Sequence, residues 1–425
     1  MNPFLLFLYN CFVLPILYVG FRIAGLFNAK IKRGIKGRAN YIENLQAKVS
    51  GIDRSKPLVW VHSASLGEFE QAKPIIEKIR ARFSVSVIVT FFSPSGYENS
   101  KKYPFADIIA YSPFDFPSTV RKFYSIVKPS IGIFMRYDIW PNLVSYSKTA
   151  NVPLFLVDAT LRTNSIRKNI FLKSFHSSLF SAFRGILTVS KKDFDSFNEF
   201  NLNIEIFESV GDTRFDRVYE KSLEAKNRKL LRADICKDKQ VFVAGSTWED
   251  DEDILIPVLK KLISFNKSLL AIIVPHEPTI SHIEKVEQEF NPDIKTIRFS
   301  YLNDYNGQQV IIVDSIGILL SLYFYASVAF VGGSFKSSIH NILEAAVYGI
   351  PVIYGPKIQS SNESKELTEL GGGIIVNSKS AMYRALRGLL AKEEERSYRG
   401  TISKEYIISN IGAAEKIAAY LALYI

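Results

Sequence analysis

The segment of the chain that most clearly indicates a ligand-binding site has two glycines at the end of a predicted strand. Residues 331–335 read VGGSF, and a helix carrying Asn341 and Glu344 is expected to follow them. Glycines there let the main chain approach a ligand closely, and the free N–H groups of a helix start favour an anion. The Glu344 carboxylate can accept hydrogen bonds from a ribose diol. The segment predicts a nucleotide or nucleotide-sugar site, and a tight strand-to-helix turn before a capped helix is the alternative.

A carboxylate occupies a similar junction in the first half of the chain. Residues 62–70 read HSASLGEFE, with Gly67 directly before Glu68. A carboxylate at the carboxyl edge of a sheet can take a proton from an attacking hydroxyl, an effect worth ~10²–10⁴ in rate. An acidic residue in a first helical turn is also favoured by the helix dipole alone. These residues leave both interpretations open.

Two further segments of the first half place charged residues beside predicted strand ends. Residues 134–142, FMRYDIWPN, follow another strand, so that Asp138 falls on the same edge as Glu68. Residues 211–216, GDTRFD, end this half, and Arg214 is placed to reach a phosphate. Local ion pairs with neighbouring charged residues are the structural alternative for both.

Small and polar residues also follow the predicted strands of the second half. The residues Gly245, Ser246 and Thr247 offer hydroxyl and N–H groups to a phosphate, and an acidic helix start comes next. His276 ends the following strand and could bond a phosphate or a base. The turn 314–318 could read a base edge with its backbone. Each signal is weak alone, but all lie on one edge of the predicted sheet.

Strands and helices alternate in both halves, which predicts parallel strands joined by right-handed crossovers. The length of 425 residues fits two or three domains. We predict an α/β protein with two doubly wound, Rossmann-like domains facing a cleft, where ligands commonly bind. The expected bounds are 28–225 and 226–402, followed by a C-terminal amphipathic helix over 403–425. The predicted strands are 58–62, 85–90, 108–111, 131–135, 154–157, 186–189, 241–244, 269–274, 310–313, 328–331 and 352–354.

The N-terminal segment 1–27 is predicted to be a transmembrane anchor. No charged residue occurs before Arg22, and the apolar run reaches Phe27 if Arg22 snorkels. Such a run is long enough for a hydrocarbon core of ~30 Å. Five basic residues then precede Glu43, which favours a cytoplasmic location for the rest of the chain. A cleaved signal peptide would need positive charge before the apolar run, and a buried core helix is the remaining alternative.

The composition of the chain further limits the substrates, metal sites and partners that can be expected. The net charge of +11 suits a protein that lies on anionic lipid or handles anionic substrates, although a merely basic surface gives the same value. With Cys11 in the anchor and Cys236 alone, the globular part has no disulfide framework, as expected in a reducing compartment. Five scattered histidines and no CxxC pattern argue against a zinc site. No nucleic-acid partner is predicted, and the pattern indicates no particular protein partner.

Taken together, the segments resemble the bacterial 3-deoxy-D-manno-octulosonic acid (Kdo) transferases, which glycosylate the lipid A precursor. The resemblance covers nearly all of the chain after the anchor and includes the N-terminal membrane segment. Its ordered set of motifs is far more specific than any single member. The matching segments are 62–68 (family form H-x-x-S-x-G-E), 140–142, 211–216, 244–247, and 330–344 with its continuation 349–356.

The resemblance implies a GT-B fold with an N-terminal acceptor domain and a C-terminal donor domain. It also implies transfer of Kdo from CMP-Kdo to lipid IVA with inversion, without an essential metal or cofactor. The enzyme would be anchored in the inner membrane with its catalytic domains on the cytoplasmic face. On matching positions Glu68 takes the general-base role, while Asp138 and Arg214 fall where the family has groups that stabilise the transition state.

The same resemblance assigns the donor contacts and marks where this chain departs from the family. His276 stands where arginine is common, Asp138 where glutamate is, and Arg214 where lysine is; Arg214 keeps the charge with a different geometry. Ile318 replaces the glutamate of a Gly-Glu pair. With the phosphate-binding residues above, the predicted donor site comprises Gly245, Ser246, Thr247, Pro275, His276, Ile316, Gly317, Ile318, Gly333, Ser334, Asn341, Ile342, Leu343 and Glu344.

Two alternative functions stay open at the level of sequence. One is another GT-B glycosyltransferase that uses a UDP-sugar. The other is a membrane-tethered nucleotide-sugar-binding protein without catalysis. A glycosidase is disfavoured because no clear acid/base carboxylate pair stands out.

Overall fold

Two parallel seven-stranded sheets, each inside its own compact unit, form the protein's architecture. The computed structural model describes residues 3–425. The first unit comprises the chain up to Arg217 together with Ile411–Ile425, and the second comprises Val218–Asn410. This is the predicted class, an α/β protein with two Rossmann-like halves.

The first sheet has the strand order β3-β2-β1-β4-β5-β6-β7, and every pairing in it is parallel. Its central strands are buried along their whole length and mostly apolar, because helices cover both faces of the sheet. The strands are β1 (Leu58–Ser63), β2 (Ser86–Phe91), β3 (Ile108–Tyr111), β4 (Ile131–Met135), β5 (Leu154–Ala159), β6 (Gly185–Thr188) and β7 (Ile206–Ser209).

Helices of the first unit bury aromatic and aliphatic side chains on the two faces of this sheet. One face is covered around Trp60, Phe123 and Phe134, and the other around Phe69 and Ile76. The helices are Ala29–Lys36, Tyr41–Val49, Leu66–Arg82, Pro94–Ser100, Pro117–Val127, Pro141–Thr149, Ile170–Phe180 and Lys191–Asn198, with a 3₁₀ turn at Ile166–Lys168. The helix Thr213–Lys226 begins in the first unit and continues into the second.

The second sheet is also entirely parallel, with the order β10-β11-β9-β8-β12-β13-β14. Its strands are β8 (Gln240–Thr247), β9 (Leu269–Pro275), β10 (Thr296–Arg298), β11 (Val310–Ile312), β12 (Val328–Val331), β13 (Val352–Tyr354) and β14 (Gly373–Ile375). The surrounding helices are Ala233–Cys236, Glu249–Phe265, Ile280–Phe290, Leu319–Tyr323, Leu343–Ala346, Asn362–Leu370, Lys379–Ala391 and Glu393–Asn410, with a 3₁₀ segment at Phe299–Asp304.

Three strands were not expected from the sequence. They are β7, β10 and β14, and each is three or four residues long and lies at or beside a sheet edge. Short edge strands need only one apolar face, so their apolar signal is weak. A second difference is that β8 continues through Thr247, beyond the predicted end at residue 244.

The predicted helix over Asn341 and Glu344 is wrong in its extent. The helix here is a single turn, Leu343–Ala346, and Asn341 precedes it. The Asn341 side chain accepts a hydrogen bond from the N–H of Leu343 at 3.1 Å and donates one to Glu344 at 3.3 Å. An asparagine that bonds the next turn in this way favours a cap over the helix interior.

The C-terminal segment 403–425 contains two helices instead of one. Glu393–Asn410 ends within it, and Ala413–Leu421 follows after Gly412, whose φ of +108° suits glycine. The Asp216 carboxylate accepts hydrogen bonds from the N–H groups of Gly412 (2.8 Å) and Ala414 (3.3 Å). The last helix buries apolar residues in the core of the first unit, which explains why the chain's end belongs to that unit.

The N-terminal residues Pro3–Phe27 form a helical run that is long and apolar enough to cross a membrane, and most of it is exposed. A π-helical turn at Tyr9–Val13 interrupts the run just before Pro15. Proline has no N–H, so the carbonyl four residues earlier loses its usual partner and the helix widens there.

Candidate active site

The order of the first sheet defines a switch point between β1 and β4. From β1 the chain proceeds to one side through β2 and β3, and then returns to place β4 on the other side. In doubly wound sheets, ligands bind outside the carboxyl ends of the strands at this point. Glu68 follows β1 and Asp138 follows β4, so the fold brings these two sequence-predicted carboxylates to the switch point.

Glu68 lies in the first turn of the helix Leu66–Arg82 and is mostly buried. Ser65 caps this helix by accepting a hydrogen bond from the N–H of Glu68 at 3.4 Å. One carboxylate oxygen, Oε2, accepts a hydrogen bond from the N–H of Ala64 at 2.6 Å. Since the described residues give no hydrogen bond to Oε1, that oxygen can accept a proton from a substrate.

The surroundings of Glu68 raise its pKa above the usual value for a glutamate. Burial is the largest cause, since it disfavours the charged form. The hydrogen bond from Ala64 opposes this shift, the negative charge of Asp138 adds to it, and His62 and Arg136 oppose it. A carboxylate with a raised pKa is a stronger base, which suits general-base catalysis near neutral pH.

A hydrogen-bond chain holds Asp138 in place. Its Oδ2 atom lies 3.0 Å from Nε2 of the fully buried His62, and the indole N–H of Trp140 donates to the same oxygen at 3.2 Å. On its other side, Nδ1 of His62 lies 3.0 Å from the hydroxyl of Thr90, which accepts a hydrogen bond from Trp60. Because Asp138 can only accept when ionised, Nε2 of His62 must carry the proton in this arrangement.

Arg214 is paired with Asp212. The Nε atom of Arg214 donates to Asp212 at 2.8 Å, and the Arg214 N–H does the same at 2.8 Å. The adjacent Thr213 donates through its N–H (3.1 Å) and hydroxyl (2.7 Å) to Asp158 at the end of β5. Burial and the charge of Asp212 raise the pKa of Asp158 to about 7. The segment that carries Arg214 is therefore fixed to the carboxyl end of the first sheet.

The second sheet has its own switch point, between β8 and β12. The loop after β12 begins with Gly332, where a Cβ would stand 2.3 Å from the carbonyl oxygen of Ser246. Gly333 has a φ of +93°, and a Cβ there would stand 2.4 Å from the carbonyl oxygen of Ser338. The buried carboxylate of Asp251 accepts hydrogen bonds from the N–H groups of Gly333 (2.7 Å) and Trp248 (3.0 Å). This carboxylate joins the two loops of the switch point.

Aromatic rings and a cation collect beside these loops. The Trp248 and His276 rings stack with centroids 4.7 Å apart, and the His276 and His340 rings stack at 4.3 Å. The Lys336 ammonium lies 3.5 Å from the centroid of the Trp248 ring. Burial, with the nearby His276, lowers the pKa of His340 to about 4, so it is neutral at pH 7 and can accept the hydrogen bond from the Trp248 indole (3.0 Å). Such a surface can stack a planar base and attract a phosphate.

The predicted donor residues follow four strands that are neighbours in the sheet order β11-β9-β8-β12. They are adjacent in space, although β10 intervenes along the chain. Ile316 and His276 are exposed. The residues Thr247 and Ser334 are fully buried: the Thr247 hydroxyl donates to Glu252 at 2.7 Å, and the Ser334 hydroxyl accepts the N–H of Gly355 at 2.6 Å.

Several residues that organise these loops were not assigned a role from the sequence. In the first unit they are His62, Arg136 and Asp158, and in the second they are Asp251, Trp248 and Lys336. Of these, Asp158 could have been found from the sequence, because it is a carboxylate at the end of an apolar strand. No group of three His, Cys, Asp or Glu side chains able to hold a metal ion occurs within residues 3–425.

Solved structures define the class of fold. UDP-GlcNAc 2-epimerase from Neisseria meningitidis superimposes with a TM-score of 0.61, covering 87% of this chain and 100% of that one at 13% identity. The S. aureus MnaA–UDP structure gives a TM-score of 0.57, covering 87% and 96% at 13% identity. The two parallel sheets and these likenesses define a GT-B fold.

Relatives in sequence define the family. The family described as 3-Deoxy-D-manno-octulosonic-acid transferase (kdotransferase) matches residues 35–217. The 3-deoxy-D-manno-octulosonic acid transferase of Aquifex aeolicus is 30% identical over 80% of this chain and 88% of its own length. That of Haemophilus influenzae is 27% identical over 86% and 87%. The chain belongs to the Kdo transferase family and is a glycosyltransferase.

Proposed function

We propose that this enzyme transfers Kdo from CMP-Kdo to a lipid A precursor, lipid IVA, with inversion, in the synthesis of the lipopolysaccharide core. The observation that carries this proposal is the pair of carboxylates, Glu68 and Asp138, at the switch point of the first sheet. One has an oxygen open to a substrate and a raised pKa, and the other is held by two donors.

In the proposed mechanism, Glu68 acts as general base in a direct displacement. Its Oε1 atom takes the proton of a glucosamine hydroxyl while that oxygen forms a bond to the anomeric carbon of Kdo. The bond from that carbon to the phosphate oxygen of CMP breaks, and CMP leaves with the electron pair. Arg214 and Asp138 are proposed to stabilise the charges that develop, a contribution that preorganised groups commonly make.

The second unit is proposed to bind the cytidylate of the donor. Four neighbouring loops supply main-chain N–H groups, a ring stack and the exposed Lys336 at one sheet edge. His276 takes part in the ring stack instead of offering a guanidinium. We infer that ring stacking contributes part of the binding energy that the charge of the arginine supplies in other members of the family.

The helical run Pro3–Phe27 is proposed to anchor the enzyme in the bacterial inner membrane, with the two units on the cytoplasmic face. Its exposed apolar surface and the basic segment after it support this location. An acceptor that is itself a lipid then meets the enzyme at the bilayer surface, which raises its effective concentration.

The test of the proposed function is transfer by the purified enzyme alone. With CMP-Kdo generated in situ and lipid IVA, mass spectrometry should show the mass of the lipid increased by Kdo. We propose that no metal is required, so EDTA added after donor synthesis should leave the rate unchanged. Absence of product with intact donor and folded enzyme would contradict the assignment.

Nucleotide selectivity separates this donor from a UDP-sugar. Only a nucleotide that binds the folded state raises the melting temperature. We expect CMP to raise it more than UDP or GDP at equal concentration. A larger shift with UDP would favour a UDP-sugar donor, and transfer without a protein partner would exclude a purely binding role.

The charge of Asp138 should set the pH profile of transfer. The base must be ionised, so activity falls when the pH drops through the pKa of Glu68. Since Asp138 raises that pKa, Asp138→Asn should move the acid limb of kcat/KM to lower pH. The amide oxygen can still accept from His62 and Trp140, so the loop should be retained.

The matched control for this profile is Glu98→Gln. Glu98 is an exposed carboxylate of the first unit that pairs with Lys101. Its removal should leave the acid limb in place. If the acid limb of Asp138→Asn were unchanged or shifted to higher pH, the interaction between Glu68 and Asp138 would not be the origin of the pH dependence.

A further inference from the structure

A second apolar surface lies close to the candidate active site. Ile170 is 81% exposed and Phe171 is 85% exposed, and the neighbouring Ile166 and Leu172 are exposed as well. The Asn169 side chain accepts a hydrogen bond from the N–H of Phe171 at 3.0 Å and thereby caps the helix Ile170–Phe180. The first turn of a well-formed helix therefore presents large apolar side chains to the surroundings, which commonly marks an interaction surface.

The sequence stretch that carries this surface is basic, although Lys168, Arg184 and Lys191 pair with Glu199, Glu205 and Asp195 from outside the stretch. Residues 159–192 contain no aspartate or glutamate and seven basic residues, which are Arg162, Arg167, Lys168, Arg184, Lys173, Lys191 and Lys192. Large apolar side chains beside basic ones are the composition that enters the interface of an anionic bilayer. A protein partner or a second copy would have to supply the acids that this stretch lacks.

The N-terminal helix is packed along the same edge of the first sheet. The Tyr9 hydroxyl donates to Asp115 at 3.0 Å, and Tyr18 packs on Phe114 at 5.2 Å between ring centroids. Phe21 packs on Phe92 at 5.6 Å. These contacts run from Tyr9 to Phe21, which corresponds to roughly 18 Å of helix. Because Phe92 follows β2 and Phe114 follows β3, the helix is held against the carboxyl ends of the strands.

The order of the strands places the candidate base between the two apolar surfaces. Along the edge the order is β3-β2-β1-β4-β5. The helix lies over the ends of β3 and β2, Glu68 and Asp138 follow β1 and β4, and the segment 166–172 follows β5. Neighbouring strands are about 4.8 Å apart, so β2 and β5 are separated by about 14 Å.

Direct contacts link the loop of Asp138 to both surfaces. Trp140 stacks on Phe92 at 5.1 Å, and Phe92 in turn contacts Phe21 of the N-terminal helix. On the opposite side, Nη2 of Arg167 donates to the carbonyl oxygen of Tyr137 at 3.1 Å. Both surfaces are thus fixed relative to the candidate site by one loop.

We propose that residues 166–172 form a second membrane contact, which enters the same anionic bilayer as the N-terminal helix and holds the candidate base at the lipid surface between the two. This inference rests on the proposed membrane location of the helix and extends it to a surface outside the anchor. The carboxyl edge of the first sheet then faces the lipid, where a membrane-borne acceptor presents its sugar.

Three single-cysteine proteins test the proposal in the full-length enzyme. The chain has two cysteines, so Cys236→Ser leaves Cys11 as a reporter of the helix. In the Cys11→Ser/Cys236→Ser background, Phe171→Cys reports the second surface. Phe265→Cys is the matched control, because Phe265 is 79% exposed in the second unit. Each is labelled with the fluorophore NBD and reconstituted in phosphatidylethanolamine–phosphatidylglycerol vesicles, with and without doxyl-labelled lipid.

We expect blue-shifted emission and doxyl quenching at positions 11 and 171 and neither at position 265. Quenching at 11 without quenching at 171 overturns the second contact and leaves the anchor intact. Loss of both signals contradicts the membrane location itself. A shift at 171 that grows with the protein-to-lipid ratio, without doxyl quenching, assigns the surface to a second copy of the chain and also overturns the proposal.

An activity measurement gives an independent readout. The double variant Ile170→Ser/Phe171→Ser should lower transfer to acceptor embedded in vesicles several-fold and leave transfer to detergent-dispersed acceptor unchanged. Equal loss with both acceptors would indicate a structural role and contradict a membrane contact.

Discussion

Glu68→Gln is expected to lower kcat by ~10²-fold or more, with little change in folding or in CMP binding. Glutamine has nearly the same shape as glutamate, and its carbonyl oxygen can still accept the hydrogen bond from Ala64. It cannot take a proton from a substrate hydroxyl at neutral pH. Transfer kinetics with CMP-Kdo and lipid IVA measure the loss, and melting temperatures with and without CMP measure folding and donor binding.

Two further variants separate catalysis from helix capping. The carboxylate lies in the first turn of a helix, so a purely structural role predicts normal turnover in Glu68→Gln. The same role predicts lower stability in Glu68→Ala, where the bond to Ala64 is lost. Glu98→Gln, at an exposed carboxylate of the same unit, should retain full activity. Normal turnover in Glu68→Gln would remove Glu68 from the role of base.

The architecture could be predicted because its central strands are fully buried. Runs such as 131–135 and 328–331 match β4 and β12 residue by residue, since helices on both faces exclude polar side chains. The strands β10 and β14 were not predicted because each has three residues at an edge. A strand that pairs on one side only needs fewer apolar residues to be stable.

Site residues that directly follow a strand could be predicted from the sequence. Their hydrogen-bond partners from distant parts of the chain could not. Glu68 and Asp138 each follow an apolar run, and parallel topology alone brings such positions to one edge. Asp251 accepts from Gly333 across 82 positions of the chain, and Asp158 accepts from Thr213 across 55. Partners at such separations are set by tertiary packing, and a single sequence carries no local signal for them.

The sequence also does not predict how the N-terminal helix packs against the first unit. Hydropathy averages over the whole segment and gives its length and apolar character. It does not distinguish the face with Tyr9 and Phe21, which contacts the first unit, from the face exposed around Phe12 and Ile16. The orientation of the helix relative to the first sheet is therefore known only from the three-dimensional contacts. These contacts are the basis for proposing that the carboxyl edge of this sheet faces the membrane.

Trp248→Leu is expected to weaken CMP binding by about tenfold or more, since a base stacked on an aromatic ring is worth about 1–3 kcal/mol. The ring of Trp248 stacks on His276, a predicted cytidylate contact, and carries the Lys336 ammonium over its face. Its backbone position is set independently, because the Trp248 N–H donates to Asp251. The substitution should therefore remove the stacking surface and preserve the loop. Calorimetric titration with CMP measures the change in Kd.

The helix that begins after Trp248 supplies its own control. Phe265 is the last residue of Glu249–Phe265 and is exposed, so Phe265→Leu removes an aromatic ring from the far end of the same helix. CMP should bind this variant as it binds the wild type. Trp248→Phe keeps a ring but loses the indole donor to His340, and it should recover most of the affinity. If Trp248→Leu bound CMP normally while melting at a lower temperature, the ring stack would be part of the core, and the cytidylate would have to bind elsewhere on the second unit.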